Sequence, residues 1–68
     1  MKSGEAREVL RDACKNAEGN CDIIVIPLHE DEDFQRIVRA LDALKIFWCL
    51  VDQKILVNRH ELEALGAI

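Results

Sequence analysis

The chain has 68 residues, half of them hydrophobic, and its 13 acidic and nine basic residues give a net charge of −4. That length fits one small domain over residues 1–68 and excludes a second, and the negative balance disfavours nucleic-acid backbones and anionic lipid as partners. No apolar run nears the roughly 20 residues of a membrane helix, and Met1–Arg11 lacks the apolar core of a secretion signal. Cys14, Cys21 and Cys49 form no CxxC pair, so the expected location is the reducing cytoplasm.

In chain order, Ala6, Val9, Leu10, Ala13 and Cys14, with Ala17 beyond, follow the spacing of one helical stripe and predict a helix over 3–16. Ser3 is placed to cap it, and Gly19 with Asn20 to stop it. Glu5, Arg7, Glu8, Arg11, Asp12 and Lys15 fall on the opposite, solvated face. Ile23, Ile24, Val25 and Ile26 within 21–28 form a β-branched run of the kind buried on both faces, and Pro27 marks its exit.

Phe34, Ile37, Val38, Leu41 and Leu44 then predict a second helix over about 31–45. Acids at its start and Arg36, Arg39 and Lys45 further along suit the helix macrodipole. A second apolar run, Ile46–Val51, is separated from Ile55–Val57 by Asp52, Gln53 and Lys54, the spacing of a tight hairpin. Asp-Gln is a poorer pair for such a turn than Asp-Gly. Asn58 with Glu61 three residues on starts a short last helix that Gly66 ends.

The order α-β-α-β-β-α places the chain in the α/β class, bordering on α+β. It implies a three-stranded mixed sheet with helices packed on it. A right-handed crossover would make the first two strands parallel neighbours, with the third antiparallel to the second. The second helix covers one sheet face, yet the first two strands show no polar alternation on the other, so something must cover that face as well. The plainest expectation sets the first helix opposite the second and buries Trp48. The alternatives are the last helix, a second copy of the chain or another partner. Phe47 and Trp48, being adjacent in a strand, point to opposite faces.

Little chemistry is signalled. His29, Glu30, Asp31 and Asp33 gather potential cation ligands where the first strand gives way to the second helix, but an acidic, solvated helix start is the expected reading, and no metal is assigned. The separations among Cys14, Cys21, Cys49, His29 and His60 match no zinc pattern. Cys49, His60 and Asp52 form a nucleophile triad only on paper, and Cys14 and Cys49 both sit in apolar patterns expected to bury the thiol. Gly4, Gly19 and Gly66 occur singly, with no phosphate loop. The expectation is a protein that is no enzyme and carries no cofactor.

The segment Ala6, Arg7, Glu8, Val9, Leu10, Arg11 resembles the signature threonine, asparagine, glutamate, valine, any residue, lysine of the ribosomal and kink-turn-binding protein superfamily. The likeness continues loosely from Cys21 to Val51 and into His60–Gly66. It implies an α/β/α sandwich that recognises bent RNA, here with Arg7, Arg11 and Lys15 on phosphates; acidic proteins of similar fold are protein-binding regulators. Arg7 stands where that family has its RNA-contacting asparagine. Residues 21–57 also resemble a small ferredoxin-like regulatory module.

The leading expectation is therefore a non-catalytic interaction or regulatory module. It would meet itself or a protein partner through the sheet face or the hairpin edge, at Trp48, Val51, Gln53, Lys54 and Leu56. RNA binding through the first helix is the alternative.

Overall fold

The computed structural model describes residues 1–29 and 31–68; the side chain of Asp31 lies outside the description. The elements are α1 (Ser3–Cys14), β1 (Glu18–Gly19), β2 (Ile23–Pro27), α2 (Asp31–Ala43), β3 (Trp48–Val51), β4 (Lys54–Asn58) and α3 (Arg59–Ala64). The mixed α/β class expected from the sequence holds.

The sheet differs in two ways from that expectation. Among the described residues it has four strands rather than three, in the order β1-β2-β4-β3, and every neighbouring pair is antiparallel. β2 and β3 do run parallel, as a crossover through α2 requires, but β4 is inserted between them. The insertion places Ile55 and Val57, 0% and 2% exposed, in the middle of the core and lets each strand pair antiparallel with its neighbours.

The extra strand is β1. Gly19 and Asn20, expected to stop the first helix, instead make a tight hairpin. Asn20 Oδ1 accepts from the N–H groups of Asp22 and Ile23, and Asn20 N–H donates to the Ile23 carbonyl. Gly19 has φ +146°, and a Cβ there would collide with the Ile23 carbonyl oxygen. α1 consequently ends at Cys14. Its N-cap is Lys2, which makes no side-chain cap, so Ser3 lies inside the first turn and does not perform the capping expected of it.

The register assigns each strand residue to a face. Ile24 lies opposite Val57, which lies opposite Trp48; Ile26 lies opposite Ile55, which lies opposite Leu50. These residues share the inner face. Ile24, Ile26, Ile55 and Val57 form one core with Ala6 and Leu10 of α1, Ile37, Ala40 and Leu41 of α2, Leu62 of α3 and Ala67. All three described helices therefore cover the same face. The expectation that α1 packs opposite α2 is corrected: the two helices lie side by side. The reading of β2 as buried on both faces is corrected too, because Ile23 is exposed and Val25 only half-buried. The α/β/α sandwich implied by the kink-turn resemblance is a two-layer structure instead.

Local signals near the end of the chain work as expected. Asp52 and Gln53, φ +49° and +61°, close β3 and β4 in a two-residue turn of the primed kind that matches strand twist. Asn58 accepts from His60 N–H at 2.8 Å to cap α3, and Gly66, φ +72°, ends it. Lys45 does not complement the α2 dipole from within the helix. It lies beyond Ala43 at φ +57°, and the last turn of α2 holds no basic residue.

Candidate interaction surface

With all the described helices on one side, the other side of the sheet is open among the described residues, and the pairing registers set its layout. One cross-strand row is Glu18, Val25, Leu56, Cys49; a second holds Ile23 and Asn58; a third is Pro27, Lys54, Val51. Phe47, one residue before β3, falls on this face by the same alternation and is 75% exposed. The run Ile23–Ile26 is uniformly apolar because both its faces are, although only one is covered.

The five residues expected to form the surface divide between the faces. Trp48 belongs to the helix side: its ring meets Phe34 of α2 edge-on, with centroids 5.9 Å apart and planes at 79°, and its Nε1–H donates to Asp42 Oδ1 at 3.4 Å. Val51, Lys54 and Leu56 lie on the open face, and Gln53 sits in the turn at its tip. Sequence reasoning missed Phe47. The signal was the neighbouring pair itself, since a packed Trp48 commits Phe47 to the uncovered side.

The two edges of the sheet are guarded differently. β1 has two residues, one of them charged, whereas β3 exposes the four-residue stretch Trp-Cys-Leu-Val without a charge or proline. Short length, charge and proline are the devices that keep an edge from pairing with another chain. Leu50 projects towards the helix side yet is 50% exposed, because the helix layer stops short of this edge; Val51, on the open side, is 49% exposed.

The remaining candidates do not converge. Asp52 and His60 lie at opposite ends of β4, so Cys49, His60 and Asp52 are not brought together; His60 Nε2 is 3.5 Å from Asp22 Oδ1. Cys49 is exposed, correcting the expectation of a buried thiol. Cys14 is half-buried, and that burial pushes its thiol pKa up while the nearby Arg59 charge pulls it down. Among the described residues no group of three or more His, Cys, Asp or Glu side chains is placed to hold a metal ion. His29 and Asp33 line a cleft of about 190 Å³ with Asp12, Asn16 and Arg36, smaller than ordinary ligand pockets. Glu30 and the side chain of Asp31, named with them as cation ligands, lie outside the described residues.

Of the three basic residues expected on phosphates under the RNA alternative, Arg7 is half-buried near Gly66, Arg11 donates to the Gly66 carbonyl at 2.7 Å, and Lys15, just past the end of α1, pairs with Asp12 at 3.3 Å. Among the described residues no helix is long and apolar enough to cross a membrane. Comparison with protein-family models, curated proteins and solved structures finds no match to this chain.

Proposed function

We propose that this protein is a non-catalytic protein-interaction module whose contact surface is the β3 side of the sheet. The observation that carries the reading is the clustering of Phe47, Leu50 and Val51, each about half exposed or more, around one unguarded strand edge. Isolated exposed apolar residues are ordinary on a protein surface; three large ones along a free edge are a place to dock protein. Affinity at such an edge comes from main-chain hydrogen bonds, and specificity from alternate side chains.

The test compares the wild-type chain with the double variant Phe47→Ser, Val51→Lys by sedimentation over a concentration series, with circular dichroism as the check on folding. Both positions are exposed, so the variant keeps its helix content. Wild-type mass is expected to rise with concentration and the variant to stay monomeric. Association that survives both substitutions would remove the surface from consideration.

A further inference from the structure

The unguarded edge carries information about what occupies it. β3 and β4 are joined by a two-residue primed turn, so Val51 and Lys54 form a hydrogen-bonded pair and the bonding then alternates. Cys49 bonds to Leu56, while the N–H and C=O groups of Trp48 and Leu50 point away from β4, out of the sheet. Among the described backbone hydrogen bonds outside the regular elements, none involves Trp48 or Leu50. The edge thus presents two residues' worth of main-chain donors and acceptors, flanked by apolar side chains on both faces.

Resting on the interaction-module reading, we infer that the partner is a second copy of this chain, paired antiparallel along β3 about a two-fold axis at Cys49. In a continuous sheet with its axis normal to the plane, residues facing each other must project to the same side. Inner Trp48 and Leu50 can then meet only inner residues of the second copy, and outer Phe47, Cys49 and Val51 only outer ones. With Cys49 on the axis, Phe47 faces the second copy's Val51, and Trp48 faces its Leu50. Both are aromatic–aliphatic cross-strand pairs of the stabilising kind. Trp48 and Leu50 of each copy then exchange their free main-chain bonds.

The other registers that keep the faces matched are worse. With Leu50 on the axis, Trp48 would face Asp52 and Phe47 would face Gln53, setting rings against the polar turn. With Trp48 on the axis, two indoles would oppose each other and Val51 would face Lys45. Packing the open faces together leaves Leu50 uncovered, because it lies on the helix side, and takes the charged Lys54 and Glu18 out of water. Edge pairing is the arrangement that covers all three exposed residues. Its contact, below about 1,200 Å² in total, belongs to the weak and transient class.

The register is tested by cross-linking. Residues facing each other in a non-hydrogen-bonded antiparallel pair have Cα atoms about 4.5 Å apart, inside the span a disulfide bridges. A chain carrying Cys14→Ser and Cys21→Ser keeps Cys49 alone, and a companion carrying Cys14→Ser and Cys49→Ser keeps Cys21, which is exposed as well. Diamide is added at concentrations where sedimentation shows association; it takes two electrons and two protons from each thiol pair as the S–S bond forms. The expected result is a rapid covalent dimer from the Cys49 chain and at least tenfold slower cross-linking of the Cys21 chain. Leu50→Pro, which removes an outward N–H without touching the β4 ladder, should leave the fold intact by circular dichroism and abolish both association and cross-link. Association with equal cross-linking rates, or association that survives Leu50→Pro, overturns the edge dimer while leaving the interaction surface standing. A wild-type chain that stays monomeric to millimolar concentration also overturns the edge dimer.

Discussion

Ile23 and Ile24 are consecutive and chemically identical, yet one is 36% exposed and the other 3%. The same contrast runs across the sheet: Ile55 is fully buried and its neighbour Leu56 half-buried, while Trp48 packs on Phe34 and Phe47 projects into water. In a strand, hydrophobicity fixes which residues tolerate burial, but the placement of helices decides which are buried. Here α1, α2 and α3 share one face, so the other face of an apolar sheet is left open.

The contrast can be broken most directly at the central strand. Ile55→Ala removes a fully buried side chain from the middle of the core and is expected to cost about 3–4 kcal/mol in urea denaturation. Ile23→Thr keeps a β-branched residue on the open face and should stay within about 0.5 kcal/mol of wild type. Equal costs at the two sites, in a dilute sample where the chain is monomeric, would mean that the open face is covered after all.

The adjacent aromatic residues sharpen the comparison. Trp48→Ala deletes the partner of Phe34 and a ring packed on the core, with an expected loss of about 2 kcal/mol, less than for a fully buried indole because Trp48 is only half-buried. Phe47→Ala should change monomer stability by less than about 0.5 kcal/mol and act on association instead. Thermal melts of the two variants at low concentration separate a packing residue from a docking one.

These pairs also mark how far the sequence is legible. The α2 stripe, the β3–β4 turn, the Asn58 cap and the Gly66 stop are local features, each written in a few consecutive residues, and each is found where expected. The strand order is not local, because the position of β4 between β2 and β3 depends on pairings that no short segment encodes. β1 was hidden because two residues carry no periodicity, and because Gly19 and Asn20 serve a hairpin as well as a helix end. For the proposed contact surface, the sequence pointed to the hairpin region but not to Phe47. An apolar pair such as Phe47-Trp48 states that one ring faces each way without saying which side the helices take.

A smaller effect than at Ile55 or Trp48, and one of opposite sign, is expected where the chain passes from the helix layer to the exposed edge. α2 and α3 end in the same way: Ile46 N–H donates to the Leu41 carbonyl and Lys45 N–H to that of Asp42, just as Ala67 N–H donates to Leu62 and Gly66 N–H to Glu63. In both cases the residue after the left-handed position, Ile46 or Ala67, is buried. The difference is that α3 uses glycine at that position and α2 uses Lys45, which bears the Cβ penalty of a left-handed backbone. Lys45→Gly relieves that penalty and returns part of the gain as entropy of the unfolded chain, for a net stabilisation of about 0.5–1 kcal/mol and a higher denaturation midpoint. Because Ile46 anchors the turn that aims Phe47 outward and Trp48 inward, the variant should leave association unchanged. A shift in both stability and association would instead show that the geometry of this turn, as well as the edge it leads into, sets how the two rings are presented.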